Sequence, residues 1–465
     1  MKDYILWEEW IQAFSCLRGA FSRQTTFLWC MVICAGFTVR RDLAGVSSVM
    51  RALRISNTRH YHSLLRTFRS NGVDRKLLVK LWLDLAMKLF DPMCIDGKMV
   101  FICDGCVVPK EGRRMPGVKL LHQSSSSNAK AEFVMGHYIG AVSLGIVAPN
   151  GKLTSVPIAA QLQDGIVRTH RGKQSTIDKM ASMTRGLGNT AGIPAIIIGD
   201  AFFATKSMAQ PLLRDGHHLL SRVKNNAVAY LPVMNQPKKK VGRPRIKGPK
   251  VKLASLFEDA ANSDNIIDDY RYTHADLYWP GAGQIVRFVA SYDTKLNRKC
   301  LLVTTDASLP PEQVIKLYVC RWSIESSFKT AKHTFGTFSY HFWSKSMPKQ
   351  ARTSNGTRLV GRGAEYRNKI EAKVNAFHLH MSLGMISHGL CTYFSLHKKD
   401  TVWKSFGGWI RSINRRTSPS ESIVANALQS TLPDYLRAGS ESCAFTKFLR
   451  QKIRSEKQDN LGKVA

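Results

Sequence analysis

The spacing of apolar positions divides the chain into regions that favour helices and regions that favour strands. Over residues 1–92 apolar side chains recur at helical intervals, and Asp42 and Asp74 are placed as N-caps, so we predict a helical N-terminal DNA-binding region. The pattern changes at Lys98, where KMVFICDGCVV has the β-branched and aromatic content of a strand. Residues 368–465 return to a helical pattern. Helices are therefore expected at both ends of the chain, with strands between them.

The middle of the chain predicts strands that later alternate with helices. HYIGAVSLGIVAPNGKLTSVPIAAQL reads as two strands joined by a turn at Pro149-Asn150-Gly151, and PAIIIGD reads as a buried central strand between helices. IVRFVASY and KCLLVTTD add two more strands. Three strands in hairpin succession, followed by alternation with helices, predict an α/β fold with a mixed sheet and helices packed on it.

A change of composition over residues 221–283 interrupts this pattern. The segment contains the basic run QPKKKVGRPRIKGPK and then an acidic patch, so we expect an inserted, partly β-rich subdomain with a basic arm. It would split the catalytic core into residues 98–220 and 284–345. Within the arm, GRPR resembles the core of an AT-hook, whose Arg243 and Arg245 would lie in a narrow minor groove. The alternative is a disordered basic linker that holds phosphates without sequence preference.

Charge indicates the class of partner. The chain has 68 basic and 33 acidic residues, a net charge of +35, which favours nucleic acid as the partner. An anionic membrane surface is the second candidate, but the longest apolar run, residues 27–37, is too short to span a bilayer. No export signal is recognised, so we expect a cytoplasmic protein. Ten scattered cysteines, including the CxxC pair Cys103 and Cys106, favour packed, reduced thiols over a structural metal.

One predicted helix, YVCRWSIESSFKTAK, carries a distinctive face. Tyr318, Arg321, Glu325, Lys329 and Lys332 follow one another at intervals of three or four residues and so share one side of a helix. Three cations around a single acid suit a surface that binds phosphates while the carboxylate has another task. The alternative is an exposed helix with ordinary pairs between residues four apart.

Two further acids end apolar strands. Asp104 follows FIC and Asp200 follows IIIG, and acids at strand ends can line a site at the edge of a sheet. Taken alone, each is more often a loop acid or a cap than a site residue, and a cap or loop acid is our reading of Asp306. Together with Glu325 they would repel one another unless a cation lay between them. Oxygen ligands suit Mg²⁺ or Mn²⁺, and two such ions about 3.5–4 Å apart support phosphodiester cleavage.

These residues resemble a known family. Asp104, Asp200 and Glu325 match the DDE pattern of bacterial insertion-sequence transposases, which have a ribonuclease-H-like core. Tyr318, Arg321, Glu325 and Lys332 are similar to the Y-x2-R-x3-E-x6-K signature of its cut-and-paste branch. The resemblance covers roughly residues 98–345 and implies a mixed five-stranded sheet with the first acid on the first strand, the second after the fourth, and the glutamate on a late helix.

The resemblance also implies roles for residues. Asp104, Asp200 and Glu325 would bind the metal ions, of which we expect two, and Tyr318 and Arg321 would contact phosphates of the transposon end. The same phosphate role is implied for Lys332, and we extend it to Lys329 only because of its place on the stripe. Trp279 is a candidate for stacking on a flipped base, with a core or turn tryptophan as the alternative.

The expected function follows from these roles. We expect a DNA transposase that cuts at transposon ends and joins the 3′-OH ends to target DNA. Its partners would be double-stranded DNA, as inverted repeats and target, and a second copy of the chain in a homodimeric synaptic complex, with the C-terminal helices as a candidate dimerisation region. We expect it at the bacterial nucleoid and not at a membrane. Two alternatives stay open: a catalytically silent DNA-binding relative and a ribonuclease-H-like structure-specific nuclease.

Overall fold

The computed structural model describes residues 4–43, 45–123, 131–169, 174–233, 246–440 and 442–459. Helices stand at both ends of these residues and strands lie between them, so the predicted α/β class with a mixed sheet is confirmed. Arg243 and Arg245 lie outside the described residues. Among the described helices, none combines the length and apolar character that a membrane span requires.

The helices in chain order are α1 (Ile5–Ser15), α2 (Gln24–Val39), α3 (Ser47–Ala52), α4 (Thr58–Thr67), α5 (Arg75–Leu89), α6 (Thr176–Ala191), α7 (Lys206–Arg214), α8 (Leu256–Ala261), α9 (Pro311–Val319), α10 (Trp322–His333), α11 (Ala364–His397), α12 (Lys399–Ser405), α13 (Glu421–Ala438) and α14 (Ala444–Asp459). The strands are β1 (Asp91–Pro92), β2 (Cys94–Ile95), β3 (Lys98–Pro109), β4 (Lys119–His122), β5 (Phe133–Val147), β6 (Leu153–Leu162), β7 (Ile166–Val167), β8 (Ala195–Gly199), β9 (His218–Arg222), β10 (Val228–Tyr230), β11 (Lys250–Lys252), β12 (Ile266–Ile267), β13 (Tyr270–Trp279), β14 (Gln284–Asp293), β15 (Arg298–Thr304) and β16 (Thr357–Arg358).

Of the two predicted helix N-caps, Asp42 and Asp74, one is present. The side chain of Asp74 accepts a hydrogen bond from the backbone N–H of Leu77 at 3.0 Å and so caps α5. Asp42 does not cap a helix, because α3 begins only at Ser47. Its carboxylate instead pairs with Arg51 at 2.8 Å. The prediction of a cap at Asp42 is therefore wrong.

Five neighbouring strands form the centre of the sheet, in the order β6-β5-β3-β8-β9. β5 is antiparallel to both β6 and β3, as the predicted hairpin turn requires, whereas β3, β8 and β9 run parallel to one another. β8 is buried along its whole length because it has a strand on each side and apolar residues throughout. The predicted central strand at PAIIIGD is thereby confirmed.

The sheet continues beyond these five strands. β9 pairs with β15, and the path runs on through β14, β13 and β10 to β11, so that fourteen strands of the described residues share one sheet. The sheet therefore has more strands than the five that we expected. Without β15, the apolar strand β9 would lie at an edge of the sheet with unpaired backbone groups, and the added strands pair them.

The segment 221–283 is part of this sheet. β13 and β14 pair over ten positions, from Tyr270 with Asp293 to Trp279 with Gln284, so the expected boundary after residue 283 falls beside a hairpin turn that links the two parts. The ends of the basic arm are also joined, since β10 pairs with β11. The described strands of this segment therefore extend the central sheet.

The helices from the two ends of the chain form one body around α11. This helix of 34 residues packs along β6 on one side and against α2 and α13 on the other. The indole N–H of Trp7 donates to the carbonyl of Leu428 at 2.9 Å, and the hydroxyl of Ser387 donates to the carbonyl of Cys34 at 3.2 Å. The N- and C-terminal regions, expected as separate units, therefore share a core.

Candidate active site

The pairing of two parallel strands brings Asp104 and Asp200 to the same place. Ile102 of β3 lies beside Ile198 of β8, and each acid follows two residues later in its own strand direction. Residues two apart in a strand point to the same side, so both carboxylates lie on one face at one edge of the sheet. The hydroxyl of Ser221 in β9 donates to the carbonyl of Asp200 at 2.6 Å and holds this strand end in place.

Helix α10 supplies the third acid. Glu325 lines a cavity of about 660 Å³ together with Asp104 and Asp200. The guanidinium of Arg321 lies between two of these acids: Nη1 is 3.3 Å from Oδ2 of Asp104, and Nη2 is 2.8 Å from Oε1 of Glu325. The side chains of Arg321 and Asp104 are only 12% and 16% exposed, so their ion pair is largely shielded from water, whereas the side chain of Glu325 is 41% exposed.

The electrostatics of the cavity disfavour negative charge. Burial, followed by the charge of Asp200, raises the pKa of Asp104 from 3.8 to about 6, although the Gly105 N–H and Arg321 oppose the rise. Burial likewise raises the pKa of Asp200, and the charge of Glu325 adds to this effect. One guanidinium therefore does not balance the acids, and a further cation would be stabilised between them.

The donor set fits a hard divalent ion in kind. Three carboxylates offer the oxygen ligands that Mg²⁺ and Mn²⁺ prefer. Among the residues that the structure describes, no three acidic, histidine or cysteine side chains are close enough together to hold an ion. The guanidinium of Arg321 contacts Asp104 and Glu325 directly. The cavity therefore offers ligands of the right kind, and two of them are engaged by an arginine.

The signature residues do not lie on one continuous helix. α9 ends at Val319 and α10 begins at Trp322, and at the junction the N–H groups of Cys320 and Arg321 donate to carbonyls three residues earlier. The prediction of a single helix from Tyr318 onward is therefore wrong. The tight turn nevertheless keeps Tyr318 in the cavity, and burial raises the pKa of its hydroxyl to about 12.

The two lysines of the stripe have different surroundings. The ammonium group of Lys332 donates to the carbonyl of Val107 at 3.5 Å, so it lies beside β3 just beyond Asp104. Lys329 is exposed and is not among the residues that line the cavity. Lys332 is not among those lining residues either, so the two lysines differ in their contact with β3 and not in lining the cavity.

Trp279 does not present its ring to a ligand. It lies at the end of β13 with only 8% of its surface exposed, and its ring meets that of Phe288 edge-on, with centroids 6.5 Å apart. The ring also covers Gly281, where an added Cβ would come within 2.4 Å of it. The expectation of base stacking is therefore corrected to the alternative, a core tryptophan at a turn.

Asp306, which also follows an apolar strand, is not part of the cavity. It pairs with Lys98 at 3.0 Å and is a loop acid, as predicted.

Sequence reasoning missed one wall of the cavity. Arg222 and Lys224 also line it, and both are exposed. They directly follow β9, the strand beside β8, and the basic run after this strand was the available signal. Trp322, the residue after Arg321, does not line the cavity. It is 63% exposed, and the guanidinium carbon of Arg321 lies 5.3 Å from its ring centroid.

A family comparison gives the class of the protein. Residues 16–275, more than half of the chain, match the family model described as DDE superfamily endonuclease. The chain therefore belongs to this family, which implies a nuclease-type enzyme that acts on DNA and typically uses divalent metal ions. The matched residues include Asp104 and Asp200 and end before Glu325. No curated protein matches the chain.

Proposed function

We propose that this protein is a DNA transposase of the bacterial insertion-sequence type, which cuts phosphodiester bonds at transposon ends and joins the 3′-OH ends to target DNA. The observation that carries the proposal is the shared cavity of Asp104, Asp200 and Glu325, three acids from separate parts of the chain. Family membership supports the nuclease chemistry, and the signature around Glu325 supports the transposase branch.

The topology supports a ribonuclease-H-like core. Counting β3, β5, β6, β8 and β9 as the five central strands, Asp104 lies on the first strand, Asp200 follows the fourth, and Glu325 lies on a later helix. This is the placement that the family resemblance predicts. The additional strands from β10 to β15 account for the long interval between the second acid and the third.

Each side of the cavity then has a task. Asp104, Asp200 and Glu325 would hold two divalent ions, Mg²⁺ or Mn²⁺. Such ions lower the pKa of a bound water and stabilise the leaving oxygen in phosphodiester cleavage. Tyr318, Arg321 and Lys332 would position the phosphates next to the cleaved bond.

Arg222 and Lys224 line the same cavity and would hold further phosphates of the strand. The net charge of +35 supplies the long-range attraction to DNA, and a homodimer would bring two transposon ends together. These residues would thus orient the reacting phosphate, which is the main contribution that a protein makes to such a reaction.

The test uses linear DNA that carries the sequences flanking the gene, in which inverted repeats mark the element ends, with Mg²⁺ present. We expect cuts at the repeat ends and joined products with target DNA. Asp104→Asn should abolish both but leave DNA binding intact. Glu258→Gln, which changes an exposed acid on α8, serves as the matched control.

The alternatives give different results in the same assay. Cleavage that ignores the repeats and yields no joined product would indicate a structure-specific nuclease. Binding without any cleavage by the wild-type protein would indicate a catalytically silent relative. Either result would overturn the transposase proposal.

A further inference from the structure

We infer that a second groove, between α4 and the start of α11, binds the backbone of double-stranded DNA beyond the acidic cavity. This groove, called here the α4–α11 groove, has a volume of about 880 Å³ and shares no lining residue with the acidic cavity. The inference deepens the proposed function and rests on it for the identity of the ligand.

Uncompensated positive charge is the first argument. Arg66 and Arg69 approach from the α4 side, Lys345 from the segment after α10, and Lys373 from α11. Within the part of the chain that the structure describes, none of these four makes an ion pair with an acidic side chain, whereas the neighbouring Lys369 pairs with Glu365. Like charges gathered in this way repel one another, and an anion in the groove would relieve that repulsion.

Lys373 is affected both by burial and by the repulsion from a neighbouring cation. Its burial, followed by the charge of Arg69, lowers the pKa of its ammonium group from 10.5 to about 8. A cation held where its charge is disfavoured, beside a second cation, is better stabilised by a phosphate than by water. The groove therefore has the electrostatics of an anion site and not of an ordinary solvated surface.

A displayed aromatic ring is the second argument. Trp343 lines the groove and is 51% exposed, although both of its neighbours in the chain are buried. Phe342 packs against Phe68 at a centroid distance of 5.1 Å, and the N–H of Ser344 donates to the carbonyl of Arg114 at 2.9 Å. The ring is thus held outward by a fixed backbone, where it can pack against sugars or bases.

The construction of the groove favours a long ligand. Its walls come from three segments that are distant in sequence. Phe342 joins these segments, because it packs against Phe68 after α4 and Phe377 of α11. A long duplex that engages the acidic cavity offers phosphates to a second basic surface. A linear polyanion matches several cations spread along one groove better than a single small anion does.

The test combines a binding measurement with lysine labelling on the full-length protein. In fluorescence anisotropy with a duplex that carries the element end and its flank, Arg69→Ala/Lys373→Ala should raise Kd about tenfold. It should also flatten the slope of log K against log salt by about 2, since each phosphate contact contributes about 0.9. Lys152→Ala/Lys404→Ala, which removes two exposed lysines outside the groove, should leave the slope unchanged.

Labelling keeps the inference testable even if the double variant does not fold. With wild-type protein and Asp104→Asn, the duplex should slow acetylation of Lys345 while Lys152 and Lys404 react as before. Equal reactivity of Lys345 with and without bound duplex would overturn the inference. Protection of Lys345 by high protein concentration alone would also overturn it, because a second copy would then fill the groove.

The outcomes separate the two proposals. Protection of Lys345 without any strand cleavage would retain the groove and remove the transposase function. Cleavage at element ends with Lys345 unprotected would retain the function and remove the groove.

Discussion

Arg321 donates to Asp104 through Nη1 at 3.3 Å, although the two residues are 217 positions apart in the chain. The same guanidinium donates to Glu325, so one side chain engages two of the three acids in the cavity. It neutralises part of their charge, and it also occupies oxygens that a metal ion would need. Arg321, which we propose contacts DNA, is therefore bound directly to Asp104 and Glu325, which we propose hold the metal.

The first prediction follows from this link. Arg321→Ala should strengthen Mn²⁺ binding in the absence of DNA, about tenfold, because it frees Asp104 and Glu325 and removes a repelling charge. Titration calorimetry or the electron paramagnetic resonance of free Mn²⁺ measures the affinity directly. Lys316→Ala, an exposed cation on α9, is the control. Weaker Mn²⁺ binding in Arg321→Ala would show that the arginine helps to organise the acids instead.

The second prediction concerns the stability of the cavity. The rise in the pKa of Asp104 from 3.8 to about 6 corresponds to about 3 kcal/mol of unfavourable energy for the ionised form in the folded state. Asp104→Asn removes this penalty and also the contact with Arg321, so we expect a net gain of about 1–2 kcal/mol in unfolding free energy at pH 7.5. Cleavage should be lost.

The same variant should show a defined pH dependence. A raised carboxyl pKa in the folded state penalises stability above about pH 6, and the penalty vanishes once the group is protonated in both states, below about pH 4. The advantage of Asp104→Asn should therefore shrink as the pH falls from 7.5 to 4. Urea unfolding of metal-free protein across this range is the measurement, and a constant or growing advantage would contradict the prediction.

A third prediction tests the buried position of Trp279. Trp279→Ala should lower the unfolding free energy by about 3 kcal/mol, because it leaves a cavity beside Phe288. Trp279→Phe fills most of that space and should keep both stability and cleavage close to wild type. Thermal unfolding measures the stability of both variants, and the end-cleavage assay measures their activity. A stable Trp279→Phe protein with strongly reduced cleavage would restore a direct role of the indole at DNA.

The fourth prediction addresses the wall formed by Arg222 and Lys224. Replacing both by Ala should reduce the salt slope of DNA binding by about 2 and lower the rate of cleavage at element ends. Both side chains are exposed, so the fold should be unaffected. Lys152→Ala/Lys404→Ala is again the matched control. An unchanged salt slope in the Arg222→Ala/Lys224→Ala protein would place the DNA backbone away from this wall.

Local sequence was enough to locate the elements that carry the candidate site. The apolar runs before Asp104 and Asp200 identified two buried strands, because strand burial depends mainly on the residues of the strand itself. Asp74 was identifiable as a cap for the same reason, since a cap acts within three residues of its own position. The junction at Cys320–Arg321 was not identifiable, because the residues on both sides favour a helix and the tight turn is a matter of packing.

The sequence by itself determined the helical ends, the mixed α/β centre and the acids at its strand ends, since these depend on short-range periodicity and burial. Only the tertiary structure decided the neighbours of each strand, the burial of Trp279, the bridge from Arg321 to Asp104 and the α4–α11 groove. Each of these joins residues that are distant along the chain, and periodicity carries no information about which apolar faces meet. The parallel register of β3 and β8 is the clearest case, because that register places two acids side by side.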